Sequence, residues 1–479
     1  MKREFLINLL ILISINLLIK PIFIFGIDLS VNNIVGPEQY GLYFTILNSS
    51  YLMLIFNDFG IQNFNNRNIA QHNHLLDKYF PNIIILKTIL GFVYLISTIL
   101  LCISLGYWQS AWDLVLLLAI NQVLVSFIQY CRTNISGLGF YRIDSLLSAL
   151  DRLLMIVFCA ILIFSHTLDA MNGIRYFVYA QTAAYVLTFL IAFSIVFRKV
   201  KRFKLRFNLA FLLLIIKKSF PYALIALLMS AYTRVDGVML AQMLPDGKTE
   251  VGIYASAYRL LEASNSISLL FAGLLLPMFA RMLGERESVY PLVGLSSRVI
   301  AVISISAAVC FSMFSMPIMA RLYPLATPYW AETLSILIWS FVPISFMYIF
   351  GTLLVSNGSV WVMNRIFMVG VVLNLILNYV LISAFKAHGA AWSAVITQVF
   401  VAVSLMWTSA NVFDFKINKS LIIKILCFLF LINLSALGFQ KYISNWLIAF
   451  LMTGFSSLIF AFALGILEKD VLLNFRKKV

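Results

Sequence analysis

Three cations stand inside apolar stretches of this sequence: Lys20, Arg234 and Arg259. A charge placed within hydrocarbon is costly, so it is retained where it lines a wet interior or binds something. Counted from the outer ends of their stretches, Lys20 lies seven residues in, Arg234 nine and Arg259 eight. At 1.5 Å per helical residue all three sit roughly 10–14 Å below one surface. The chemistry open to such a group is anion binding. Arginine donates in pairs from a planar fork, which suits a phosphate, whereas lysine acts as a point charge. The plainer reading is that each cation neutralises a neighbour or snorkels outward, and Lys20 is within snorkelling reach.

The acids nearby divide in the same way. Arg259 and Glu262 are three apart, hence on one helical face, which favours an ion pair. Tyr258, Glu262 and Ser266 continue a polar face at i, i+4 spacing, so Tyr258 joins the candidate cavity residues. Asp236 lies about 200° around the helix from Arg234, and the two should not share a partner. Glu262 and Asp236 are the candidates for ion coupling. Asp58, near the inner end of its stretch, is a candidate for capping or gating with Arg67. Polar stripes recur as Gln122, Ser126 and Gln129; as Asp144, Ser148 and Asp151; and as Asn374 with Asn378. Interhelical hydrogen bonding explains them as well as a wet interior does.

The elements that must position these residues are membrane helices. Of 479 residues, 62% are hydrophobic and 11% charged, and mean hydropathy is +0.96. Soluble domains carry about a quarter charged residues. Runs of about 20 apolar residues, each able to cross roughly 30 Å of hydrocarbon, recur from end to end. We place fourteen spans near 5–27, 40–62, 81–105, 111–131, 143–165, 174–197, 219–243, 251–278, 292–317, 330–356, 362–384, 388–409, 420–439 and 444–466. The first is too long for a signal sequence and lacks a small-residue cleavage site. Pro21, Pro221 and Pro343 predict kinks.

The net charge of +16 is not a nucleic-acid signature, because the cations concentrate in alternate loops. Lys2, Arg3, Arg67, Lys78, Arg132, Arg142, Arg281, Arg286, Lys416, Lys419 and the tail 476–478 share one side with the basic run Arg198–Lys204. By the positive-inside rule that side is cytosolic, and both termini lie there. The five cysteines fall singly within spans, and His72 with His74 lacks companion ligands, so neither disulfide nor metal is expected. There is no phosphate-binding Gly-x-x-x-x-Gly-Lys-Ser/Thr loop, and no cofactor is expected.

The chain repeats itself across the basic run. Tyr40-Gly41-Leu42-Tyr43 is echoed by Val251-Gly252-Ile253-Tyr254, and Gly173 with Gln181 by Gly389 with Gln398, at offsets of 211 to 217 residues. Six spans separate the copies, so they share one orientation, a transporter pattern with substrate handled between the halves. The expected fold is an all-α polytopic membrane protein. Two parallel six-helix bundles, 1–206 and 207–415, surround a central cavity, and 416–479 supplies two further helices and a basic tail.

Arg234-Val235-Asp236-Gly237-Val238-Met239-Leu240, Glu250 to Arg259 and Leu276-Pro277-Met278-Phe279-Ala280-Arg281 resemble the seventh and eighth spans of the polysaccharide transporter family, which includes O-antigen flippases. Gly36-Pro37-Glu38-Gln39-Tyr40-Gly41, Asp58-Phe59-Gly60 and Arg67-Asn68-Ile69-Ala70 are similar to its first hairpin. That family belongs to the multidrug/oligosaccharidyl-lipid/polysaccharide exporter superfamily. One departure is Val238, where the family often has a cation. The resemblance implies a flippase for polyprenyl-diphosphate-linked oligosaccharide in the bacterial cytoplasmic membrane, a monomeric transport unit, lipid contact, and a polysaccharide polymerase as candidate partner. The alternatives are a peptidoglycan-precursor flippase and a multidrug or cation antiporter. A cationic cavity would repel cationic drugs. A membrane polymerase or glycosyltransferase would need a larger outer loop than the dozen residues available, so no enzyme activity is expected.

Overall fold

The computed structural model describes residues 19, 21–62, 76–165, 172–200, 209–415 and 419–467. Lys20, Arg67, His72, His74, residues 201–204 of the basic run, Lys416 and the tail lie outside them. All regular structure among the described residues is helical. Eleven stretches there are long and apolar enough to cross a membrane. The longest, Val360–Val412, has 53 residues, and Lys386 breaks it with φ 52° and ψ −126°. Unbroken it would run about 80 Å at 1.5 Å per residue, far beyond the hydrocarbon, so it is two spans. The break falls between 384 and 388, where the hydropathy pattern puts a loop.

The chain is a multi-pass membrane protein, and its surface shows why. Phe164, Tyr379, Trp407, Phe430 and Phe455 point outward, while Thr98, Asn121, Asn374 and Asn378 are buried. Lipid solvates the rings, and packing between helices keeps the polar groups away from it.

Two compact units emerge, Met1–Gly252 and Ile253–Val479. In the first, span two starts where Gly36, at φ 79° and ψ 168°, interrupts the helix Leu29–Leu52. Only glycine adopts that backbone cheaply, and Pro37 then opens the next helix, where its missing N–H is no loss. Span two packs along span seven (Leu209–Met243) and against spans four (Trp108–Gly137) and six (Gly173–Phe197). This compact unit therefore extends past the basic run and takes in span seven and the first turn of span eight (Gly247–Gly284).

One end of that packing is a glycine crossing. A Cβ on Gly41 would collide with the Lys248 carbonyl oxygen, and one on Gly252 with the Pro37 carbonyl oxygen. Each glycine thus covers the carbonyl four residues before the other. Such reciprocity fits the two copies of the Gly-x-Tyr repeat.

In the second unit, span nine (Tyr290–Met313) packs on Phe341–Ser356 and on the last two spans, Lys419–Tyr442 and Trp446–Ala463. The final helix is capped by Asn445, whose side-chain oxygen accepts from the Leu447 and Ile448 N–H groups at 3.0 and 3.4 Å. Spans eleven and twelve are tied by Asn374, whose amide donates to Ser393 and Thr397 hydroxyls at 3.4 Å each. Asn378 donates to the Asn374 oxygen at 3.0 Å.

Candidate functional site

Arg234 comes from the middle of span seven and places its guanidinium carbon 4.6 Å from the centroid of the Tyr51 ring on span two. Ser230, one turn earlier on the same helix, donates to the Tyr51 carbonyl at 3.0 Å. That bond fixes the two helices together where the cation meets the ring. The negative face of a ring attracts a cation, so the ring helps to hold the guanidinium in place. Asp236, two residues on, is buried.

A second interior arginine of the same unit was not among the spacing-based candidates. Arg152 lies in span five (Tyr141–Phe164), 4.9 Å above the Phe23 ring at the end of span one. Tyr43, Tyr51 and Tyr185 stand near enough to feel its charge. Its nearest carboxylate, Asp151, is 4.0 Å away. The stripe Asp144, Ser148 and Asp151 therefore divides its work. Asp144 pairs with Arg132 at 2.7 Å, Ser148 bonds the Ser145 carbonyl, and Asp151 flanks Arg152.

Two turns beyond Tyr51 lies an ion pair with a buried lysine. Lys87 of span three (Leu76–Ser104) is 1% exposed and donates to Asp58 Oδ1 at 2.6 Å and to Ser126 Oγ at 2.7 Å. Asn57 donates to the Gln122 carbonyl at 2.9 Å, and Gln62 to Gln129 Oε1 at 2.7 Å. The stripe of span four thus serves this cluster. Asp58 has Lys87 as partner here, while Arg67 lies outside the described residues. Near the Gly36 break, Asp28 is buried and accepts from the Tyr40 hydroxyl at 2.7 Å.

Arg259, in the second unit, has a different setting. It donates to Glu262 Oε2 at 2.8 Å, with the two side chains 15% and 36% exposed. Tyr258 packs on Tyr254 with ring centroids 5.9 Å apart, and Ser266 returns its hydroxyl to the Glu262 carbonyl at 3.3 Å. Sequence spacing thus brought together Arg259 and Glu262, but not Arg152 or Lys87. Both satisfy the rule that singled out the others, an ionisable side chain within an apolar run. Among the described residues no group of three His, Cys, Asp or Glu is placed to hold a metal ion.

Fold and site together define a polytopic α-helical membrane protein with charged interior positions, and known structures share its architecture. Lipid II flippase MurJ in an inward closed conformation aligns with TM-score 0.63 and 15% identity, covering 88% of this chain and 96% of that one. An inward-facing multidrug resistance MATE family transporter of the MOP superfamily aligns with TM-score 0.63 and 18% identity, covering 85% and 98%. A MOP superfamily transporter from Pyrococcus furiosus, described as having a binding pocket of reverse polarity, aligns with TM-score 0.59 and 19% identity, covering 85% and 94%. At such identities the likeness is one of fold. No curated protein matches the chain in sequence. The profile of the family described as Polysaccharide biosynthesis protein matches residues 5–283, and the chain belongs to that family.

Proposed function

We propose that this protein is a flippase that carries a polyprenyl-diphosphate-linked oligosaccharide, an O-antigen or capsular repeat unit, across the bacterial cytoplasmic membrane. The observation that carries this reading is Arg234, held against the Tyr51 ring inside a membrane span. A cation placed there suits a diphosphate and repels a cationic drug. Lys20, Arg234, Arg259 and Tyr258 contact the substrate, and Glu262 or Asp236 takes the coupling ion. Asp58 and Arg67 contribute to gating or capping at the inner side. Movement is by alternating access of two six-span bundles, 1–206 and 207–415, with both termini cytosolic. A polysaccharide polymerase receives the product outside.

A second reading, a flippase for a peptidoglycan precursor, is favoured by the fold shared with a lipid II flippase. The two substrates share a polyprenyl-linked phosphate group and differ in what it carries. Deleting the gene should cause lipid-linked repeat units to accumulate on the cytosolic leaflet, with peptidoglycan synthesis unaffected. Accumulation of lipid-linked peptidoglycan precursor instead would favour the second reading, and no lipid accumulation would refute both.

A further inference from the structure

In the first unit, Lys87, Arg132 and Arg175 each hold a carboxylate oxygen at 2.6–2.7 Å. Arg152 does not. Asp151 sits 4.0 Å from its Nε, and the other carboxylate oxygen accepts the Arg152 backbone N–H at 2.8 Å. The remaining contacts are the Met155 thioether at 3.5 Å, the Tyr185 hydroxyl and the Phe23 ring. A thioether and a phenol are weak acceptors for a guanidinium with five N–H donors. The side chain is also 33% accessible, although it springs from the middle of a membrane helix. Accessible, cationic and without a close carboxylate is an arrangement for receiving an anion.

Tyr51 connects this group to the site already described. Its ring carries Arg234 at 4.6 Å, and it lies among the tyrosines that sense the Arg152 charge. Two arginines from different helices thus lie within electrostatic range of one tyrosine. An anion between them is drawn from both sides. The apolar C–H face of a pyranose packs on an electron-rich ring, and the half-buried Tyr51 offers such a ring beside Arg234, while the buried Tyr185 bonds Arg152.

We propose that Arg152 and Tyr51 form, with Arg234, a binding site for a diphosphate joined to a sugar: the arginines take the phosphate oxygens, the Tyr51 ring takes the adjoining pyranose, and Tyr185 positions Arg152. This rests on the flippase reading and adds Arg152, Tyr51 and Tyr185 to it. The purified full-length protein in lipid nanodiscs tests it with two probes, a short-chain polyprenyl diphosphate bearing one N-acetylated sugar and the same lipid diphosphate without sugar. Arg152→Gln should weaken both probes at least tenfold, and Arg152→Lys should recover part of the loss. Tyr51→Leu should weaken the sugar-bearing probe several-fold more than the bare diphosphate, whereas Tyr51→Phe should bind both like the parent. Phenylglyoxal labelling of Arg152 in the unmutated protein supplies a reading that needs no variant. The sugar-bearing probe should reduce the labelling several-fold. Unchanged labelling in the presence of bound probe, or unchanged binding by folded Arg152→Gln, would overturn the proposal while leaving the flippase reading intact. An unmutated protein that binds neither probe would overturn the flippase reading itself.

Discussion

Arg234 and Arg259 occur in consecutive spans, yet their settings differ. Arg234 rests on the face of Tyr51, whereas Arg259 is engaged with Glu262 at 2.8 Å. A ring holds a cation through the quadrupole of its face, a carboxylate through opposite charge. A ligand anion meets an aromatic neighbour at the first and must compete with an acid at the second. Equal spacing in sequence therefore conceals unequal chemistry, and the difference can be measured.

The largest effect is expected at Arg234. Arg234→Ala should abolish export of lipid-linked glycan while the protein still inserts and purifies as a single species. Arg234→Lys should restore part of it, because charge returns without the paired donors. Export assayed in a complemented deletion strain measures both. Full activity in Arg234→Ala would place Arg234 among the structural charges and break the contrast.

Lys87 marks the structural extreme, a cation with 1% exposure locked to Asp58. Lys87→Met leaves that acid without its partner and should cost roughly 3–5 kcal/mol, read as lost expression and a lowered melting temperature. Lys87→Met with Asp58→Asn should recover most of the stability. If the single change is harmless, the pair does not hold the inner end of the unit together.

Arg259 should fall between these two. With Glu262 36% exposed, Arg259→Met should destabilise by less than the roughly 3–5 kcal/mol of a fully buried pair. The double variant Arg259→Met with Glu262→Met should be as stable as the parent but inactive, since substrate contact is lost together with the ion pair. An active double variant would show that Arg259 serves only Glu262, leaving the ring-held arginine as the functional one.

The smallest effect lies in the turn between spans three and four. Gln242 donates to the Tyr107 hydroxyl at 3.0 Å, and Tyr107→Phe should cost about 1 kcal/mol. Burial pushes the Tyr107 phenol above its ordinary value. Its folded form therefore holds the proton more tightly than the unfolded chain. The stability tied to that proton is intact below the unfolded value of about 10 and is lost as pH rises through the folded one. Melting curves of the parent should fall more steeply than those of Tyr107→Phe above about pH 10. Parallel curves would mean that the phenol is not shielded.

The helices were legible in the sequence because hydropathy alone dictates them. The break at Lys386 and the start of span two after Gly36-Pro37 lie where composition changes. The Arg259–Glu262 pair was legible too, since helical spacing decides it. Partners from other helices were not. Nothing in the order of residues tells Asp58 that Lys87, 29 positions away, is its counter-ion. Likewise Arg152 follows an aspartate that turns its carboxylate to the backbone instead. Spacing tells which residues share a face; packing tells what that face meets.

The most direct measurement is translocation by the purified protein in liposomes loaded with fluorescent polyprenyl-diphosphate-linked oligosaccharide, followed by quenching from one side. The predicted result is that the parent protein moves the lipid-linked glycan to the protected leaflet and that Arg234→Ala, equally well reconstituted, does not. No movement by the parent, or equal movement by Arg234→Ala, would contradict the claim that a ring-held arginine carries the substrate's diphosphate across the membrane.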